Sequence, residues 1–133
     1  MKLKNACISA CAVGLVAVAC QQGTAVGTAT TTALGIVDNT QAINLIAYSR
    51  CNRDEECQSI GPRKSWESFD ACLRETTRNT RATLGADRCP QGVLADRMDE
   101  CLRDIAKRRC DRPLDSLETI ASCRWRYVCR GQM

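Results

Sequence analysis

Cysteine is the residue type on which the chemistry of this chain depends, because 11 of its 133 residues are cysteine and none is histidine. The lack of histidine excludes triads that use an imidazole base and removes the commonest zinc ligand. A thioredoxin-like site would need a Cys-x-x-Cys motif, which is absent. We therefore predict a non-enzymatic chain with no cofactor and no metal. The cysteines expected to form structural disulfides are Cys51, Cys57, Cys72, Cys89, Cys101, Cys110, Cys123 and Cys129.

Cys20 follows a segment that is typical of a secretory signal. Lys2 and Lys4 give a basic start, and the apolar stretch at residues 6–19 is shorter than the roughly 20 residues that span a bilayer. Val18-Ala19-Cys20 resembles the end of the bacterial lipobox, although Ala17 stands where that motif usually has leucine. Ala17-Val18-Ala19 is also an A-x-A site for ordinary signal peptidase, so both kinds of cleavage remain open.

The number of cysteines bears on this choice. Cys7 and Cys11 would be removed with a signal peptide at residues 1–19, which leaves nine cysteines, an odd number for an oxidising compartment. Lipidation of Cys20 would leave eight for four disulfides. We predict that Cys20 carries fatty acyl chains such as palmitate and anchors the protein in the cell envelope, at the outer membrane facing the periplasm or the exterior. The alternative is a soluble secreted effector or inhibitor with an unmodified Cys20.

The rest of the chain divides into two parts by composition. Residues 20–38 are rich in Gly, Thr and Ala and carry no charge before Asp38, which predicts a flexible tether after the lipid anchor. Residues 39–130 have the size of one domain and contain the eight cysteines. With few large aromatic residues for its core, this domain is expected to depend on disulfides for stability.

Apolar residues at helical spacing predict an all-α, disulfide-stapled domain of four helices arranged as two hairpins. The predicted bounds are Asn39 or Thr40 to before Ser59, Trp66 (capped by Ser65) to near Gly85, about Val93 to Arg109, and Asp115 onward. The second helix loses its apolar stripe beyond Thr76, so its last turns are expected to be more exposed. The residues expected to face inward are Ile43, Ile46, Ala47 and Cys51; Trp66, Phe69, Cys72, Leu73, Thr76 and Thr80; Leu94, Met98, Cys101 and Ile105; and Leu117, Ile120, Ala121, Cys123 and Tyr127.

A motif near the start of the second helix recurs near the start of the fourth. "SWESFDACLR" at residues 65–74 and "SLETIASCRW" at residues 116–125 share Ser, Glu and Cys in register, as an internal duplication or two similar capped helices would. Antiparallel hairpins favour a Cys57–Cys72 disulfide and, by analogy, Cys110–Cys123. Cys101–Cys123 is the competing choice for the second hairpin, and the remaining cysteines are left unassigned.

The stretches "AINLIAYSRCNRDEECQSIG", "CPQGV" and "PLDSLETIASCR" carry a resemblance to a known family. They resemble a family of small cysteine-rich lipoproteins of unknown function from myxobacteria, some labelled as associated with natural-product biosynthesis. The resemblance covers about residues 42–129 and implies the order signal, lipid cysteine, polar tether and eight-cysteine helical domain. It implies no activity and no catalytic residue.

A C-terminal cluster of basic and aromatic residues is the candidate partner-binding surface: Arg124, Trp125, Arg126 and Tyr127. Lys107, Arg108, Arg109 and Arg112 lie nearby in sequence. Export argues against nucleic acid, so the expected partner is an acidic protein, an acidic polysaccharide or a lipid headgroup. We thus predict a membrane-anchored interaction domain.

An exported enzyme is the rival hypothesis. It would require the carboxylates of residues 54–56 to converge with Asp96, Asp99 and Glu100 and with arginines around a ligand.

Overall fold

The computed structural model describes residues 35–111 and 119–131, which are mostly helical. The signal segment, Cys20, most of the tether, Arg112, Asp115 and Leu117 lie outside the described residues. The elements in chain order are β1 (Ile36–Val37), α1 (Asn39–Glu56), α2 (Phe69–Leu84), β2 (Val93–Leu94), α3 (Ala95–Ala106), a 3-10 turn (Ala121–Cys123) and α4 (Trp125–Val128). The predicted helical class is confirmed, with the addition of a two-stranded sheet.

Helix α1 lies between α2 and α3 and contributes most to the core. Its predicted inward residues, Ile43, Ile46, Ala47 and Cys51, are all buried. The cap is Asp38, one or two residues before the predicted cap, and its carboxylate accepts hydrogen bonds from the backbone N–H groups of Thr40 at 2.8 Å and Gln41 at 3.3 Å. An aspartate in extended conformation at this position satisfies amides that the first helical turn leaves free.

Because Asp38 caps α1, the side chain of Asn39 makes hydrogen bonds to other parts of the domain. Its Nδ2 donates hydrogen bonds to the backbone carbonyl oxygens of Leu84 and Cys89, each at 2.9 Å. These two hydrogen bonds of Asn39 connect the start of α1 to the end of α2 and to the loop that follows α2.

Helix α2 begins three residues later than the sequence predicts. Ser68, not Ser65, is the cap, and its hydroxyl accepts a hydrogen bond from the backbone N–H of Ala71 at 3.2 Å. Trp66 lies before the helix, where its indole Nε1 donates to Asp54 Oδ2 at 2.7 Å. The prediction that Trp66 occupies the inward helical face is wrong, because the carboxylate of α1 satisfies the indole N–H outside α2.

The last turns of α2 are exposed at Arg78, Asn79, Arg81 and Ala82, as the thinning apolar stripe predicts, but they keep one buried face. Thr80 and Leu84 are both 0 % exposed, and Leu84 belongs to the central core. Among the described residues the Thr80 hydroxyl has no hydrogen-bond partner, so this polar side chain is buried without compensation. A stripe of threonines therefore packs against α1 although its hydropathy is low.

Strands β1 and β2 pair antiparallel, with Ile36 opposite Leu94 and Val37 opposite Val93. Val37 and Val93 are 0 % exposed, so the folded domain includes residues that composition assigned to the tether, and α3 starts after β2. Gly92 precedes β2 with φ +82°, and a Cβ there would lie 2.7 Å from Cγ2 of Ile36. Only glycine allows this close approach of the two segments.

The eight cysteines form four disulfides, and neither of the two favoured pairings is among them. The bonds are Cys51–Cys72, Cys57–Cys110, Cys89–Cys129 and Cys101–Cys123. Both Cys57–Cys72 and Cys110–Cys123 are wrong, whereas the competing choice Cys101–Cys123 is correct. Cys57 follows the C-terminal end of α1, which lies beside the end of α3, since the Arg53 guanidinium donates to the Arg108 carbonyl. Cys51, further back on α1, instead meets α2.

The α1–α2 hairpin is present, but residues 119–131, the described part of the predicted fourth helix, do not form a second helical hairpin with α3. The region predicted as the inner part of a fourth helix consists of a 3-10 turn and the single turn α4, separated by the extended residue Arg124. Ile120 and Cys123 are buried as predicted, whereas Ala121 is exposed. The Cys101–Cys123 disulfide holds this segment against α3.

The two halves of the domain nevertheless share a pattern of disulfides. The bonds Cys51–Cys72 and Cys101–Cys123 span 21 and 22 residues, and Cys72 and Cys123 are equivalent in the repeated motif. The other equivalent cysteines, Cys57 and Cys110, pair with each other. These six cysteines thus have equivalent or mutual partners, whereas the Cys89–Cys129 bond has no counterpart in the repeated pattern.

Limited reduction should open Cys57–Cys110 before the other three disulfides. Cys110 is exposed and Cys57 half-buried, whereas the other six cysteines are at most 3 % exposed. Thiolate attack requires access to the sulfur, so we expect the exposed bond to react about tenfold faster or more. Brief treatment with a thiol reductant, alkylation and peptide mass spectrometry would test this. Early labelling of Cys51 and Cys72 would contradict it.

Candidate functional site

Two disulfides hold the predicted partner-binding residues in place. Arg124, Trp125, Arg126 and Tyr127 lie between Cys123, which is bonded to α3 through Cys101, and Cys129, which is bonded to Cys89. Both bracketing cysteines are buried, at 0 % and 3 % exposed. The short α4 is therefore attached to the rest of the domain at each end, and its side chains are presented on a fixed backbone.

Trp125 is half-buried on the core, with two guanidinium groups over its ring. The Cζ atom of Arg126 lies 5.2 Å from the ring centroid and that of Arg88 lies 5.6 Å away. Cation–π attraction holds both groups near the indole. Within the described residues neither guanidinium has a carboxylate partner. The guanidinium groups of Arg88 and Arg126 thus lie together at Trp125 without ion-pair partners among the described residues.

Sequence analysis missed Arg88 because it is far from α4 along the chain. The available signal was its position next to Cys89, the partner of Cys129, but the disulfide pairing was not known. We define the Trp125 surface as Arg88, Trp125 and Arg126. Arg130 directly follows Cys129, and its guanidinium has no carboxylate partner among the described residues.

Tyr127 fastens α4 to α3. Its hydroxyl donates a hydrogen bond to Glu100 Oε2 at 2.6 Å and accepts one from Arg97, whose Cζ lies 4.3 Å from the ring centroid. The hydrogen bond to Glu100 stabilises the protonated phenol and raises the pKa of Tyr127 above its usual value of 10.0. Because its hydroxyl and ring are engaged within the domain, Tyr127 has a structural role beside the Trp125 surface. Arg124 is exposed at its edge.

The two sets of carboxylates considered for an enzyme are not brought together. Residues 54–56 lie at the C-terminal end of α1, which is beside the C-terminal end of α3. Asp96, Asp99 and Glu100 lie near the opposite end of α3, at its start. Asp54 accepts from Trp66, and Glu56 forms an ion pair with Arg53 at 2.7 Å. In the part of the chain that the structure describes, no group of three or more acidic or cysteine residues could hold a metal ion.

The basic residues at the end of α3 lie apart from the Trp125 surface. They border a surface depression of about 450 Å³ whose described lining residues are Asp104, Lys107, Arg108, Arg109, Thr119 and Ile120. Arg108 donates to the Thr119 hydroxyl at 2.9 Å, and the Ser122 hydroxyl donates to Asp104 at 2.6 Å. These basic residues are therefore near Trp125 in the sequence but not in the folded domain.

Comparison with protein families gives one match. The model of a family of unknown function, DUF6184, matches residues 51–131, more than half of the chain. The chain belongs to this family. The part that matches DUF6184 contains all eight disulfide cysteines and the whole Trp125 surface, but only the end of α1. No curated protein matches the chain, and no solved structure does.

Among the helices that the structure describes in this DUF6184 member, none combines the length and hydrophobicity of a membrane span. Disulfides at both ends of α4 and the hydrogen bonds of Tyr127 attach the Trp125 surface to the rest of the domain.

Proposed function

We propose that this protein is an exported lipoprotein, anchored through acylated Cys20, whose disulfide-bonded domain is a non-enzymatic interaction module at the cell envelope. The observation that carries the proposal is that the eight cysteines from Cys51 to Cys129 pair with one another. None of them is left to form a disulfide with Cys20, so acylation would account for this remaining cysteine. Four disulfides in one small domain also favour an oxidising compartment.

An interaction module is favoured over an exported enzyme by the contacts of the carboxylates. Asp54 and Glu100 accept hydrogen bonds from Trp66 and Tyr127, and these bonds connect elements of the fold. The Trp125 surface, in contrast, has positive groups without ion-pair partners among the described residues. The resemblance to small myxobacterial lipoproteins supports the same order of signal, anchor and domain.

Replacing Cys20 with alanine should release the protein or leave it unprocessed, without acyl chains in either case. Each acyl methylene buried in a bilayer contributes about 0.8 kcal/mol, so an acylated chain should partition almost wholly into the membrane fraction, whereas a processed Cys20→Ala chain should leave it. Detergent phase separation and intact-mass measurement of the mature N-terminus test this. Cys11→Ala, within the signal segment, is the matched control and should remain acylated. A mature chain with an unmodified Cys20 would refute the anchor and favour the soluble secreted effector.

A further inference from the structure

The point at which the tether joins the domain lies close to the Trp125 surface. The chain enters the described domain at Gly35 and β1, where Val37 pairs with Val93. Val93 also forms a backbone bridge with Cys129, and the Arg130 N–H donates to the Gly92 carbonyl at 3.0 Å. The end of α4 and the start of the domain therefore meet at the same short sheet.

We propose that the Trp125 surface faces the bilayer in which the acylated N-terminus is inserted and contacts the anionic headgroups of its phospholipids. This inference rests on the proposed lipid anchor. A Gly- and Thr-rich chain of the length of residues 20–35 spans about 20 Å on average, so the domain would stay within about its own diameter of the membrane. At that distance the end carrying the tether is the end that meets the headgroups.

The charges and side chains of this end suit an anionic interface. The guanidiniums of Arg88, Arg126 and Arg130 have no carboxylate partner among the described residues. Two nearby carboxylates are engaged within the domain, since Asp38 caps α1 and Glu100 accepts from Tyr127, whereas Asp87, next to Arg88, is exposed. Tryptophan prefers the boundary between headgroups and acyl chains, where its ring is in an apolar environment and its N–H remains hydrated.

The two tryptophans of the chain lie at different ends of the domain and report on its orientation. Trp66 contacts Asp54 near the end of α1, on the side away from the tether, whereas Trp125 lies near the start of the domain. Trp66→Phe leaves Trp125 as the only indole, and Trp125→Phe leaves Trp66. Each acylated variant is placed in vesicles of equimolar phosphatidylcholine and phosphatidylglycerol with brominated acyl chains, and indole fluorescence is measured.

We expect the bromines to quench Trp125 strongly and Trp66 weakly. In vesicles of phosphatidylcholine alone, or at high salt, quenching of Trp125 should fall severalfold because the electrostatic attraction is lost. The double variant Arg88→Gln/Arg126→Gln should show the same fall. Its matched control, Lys64→Gln/Arg74→Gln, removes equal charge from exposed positions elsewhere and should leave the quenching unchanged.

Several results of the quenching experiment would overturn the proposal. They include stronger quenching of Trp66 than of Trp125, equal quenching of Trp125 in neutral and anionic vesicles, and an equal effect of the control variant. If Trp125 is unquenched by the lipid yet shielded from an aqueous quencher in intact envelopes, a protein partner covers the surface instead, which also overturns it.

A parallel measurement separates this inference from the lipid anchor. The unacylated Cys20→Ser chain is sedimented with the same vesicles, where only the surface can bind. Preference for anionic over neutral vesicles should fall about 30-fold in the Arg88→Gln/Arg126→Gln background, since each basic residue near an anionic surface contributes about a factor of five. Such a fall supports headgroup contact even if acylation is refuted. No preference for anionic vesicles refutes the contact even if Cys20 is acylated.

Discussion

Replacing Cys101 and Cys123 together by alanine is expected to lower the free energy of unfolding by about 3–5 kcal/mol. A cross-link that closes a loop of 22 residues contributes about 3 kcal/mol by restricting the unfolded chain, and both cysteines are 0 % exposed, so their removal also leaves a cavity. The described residues 119–131 have only a 3-10 turn and one helical turn of their own. Urea denaturation followed by circular dichroism would measure the change.

The Cys51→Ala/Cys72→Ala variant is the matched comparison. This bond is equally buried and spans 21 residues, so its loss should cost a similar free energy. Because it joins α1 to α2, its loss should leave the fluorescence of Trp125 unchanged below the transition, whereas the Cys101→Ala/Cys123→Ala variant should shift it. If the loss of Cys101–Cys123 costs under about 1 kcal/mol and leaves Trp125 unaltered, packing alone holds α4 in place.

Asn39→Ala is expected to cost about 2–4 kcal/mol. The substitution removes the donor of two hydrogen bonds and leaves the partly buried carbonyls of Leu84 and Cys89 without that partner. Each unsatisfied polar group costs about 1–3 kcal/mol, part of which water can recover. Denaturant unfolding of the two proteins would give the difference directly.

Two further variants isolate the donor role of Asn39. Asn39→Asp keeps the shape but places a carboxylate against two carbonyl oxygens, so at neutral pH it should be at least as destabilising as alanine. Thr40→Ala changes the exposed neighbour, whose side chain makes no such bonds, and should stay within about 0.5 kcal/mol of the parent. A stable Asn39→Asp variant would show that the amide donor is dispensable.

Sequence alone determined the local features of the three longer helices. Ile43, Ile46 and Cys51 repeat at helical spacing, as do Met98, Cys101 and Ile105, and all six are buried. Such periodicity depends only on near neighbours in the chain, which is why the helices were predicted to within a few residues at most ends. The caps shifted by one to three residues because Asp38 and Ser68 offered better-placed side chains than the neighbouring polar residues.

The candidate site was only partly visible in the sequence. Trp125 and Arg126 were identified because they are adjacent, but Arg88 joins them only through the Cys89–Cys129 bond. Lys107, Arg108 and Arg109, which precede α4 in the chain, border a separate depression beyond the end of α3. Nearness along the chain is a poor guide to which charges share a surface once a helix and a disulfide intervene.

The pairing of the cysteines was decided by tertiary structure alone. Their number and the lack of histidine determined that disulfides form, but the partners depend on which helix ends lie side by side. The ends of α1 and α3 lie together, which brings Cys57 to Cys110, while Cys51 faces the first turn of α2 and bonds Cys72. A disulfide requires Cα atoms only about 4.4–6.8 Å apart, a condition fixed by long-range packing that no local pattern encodes.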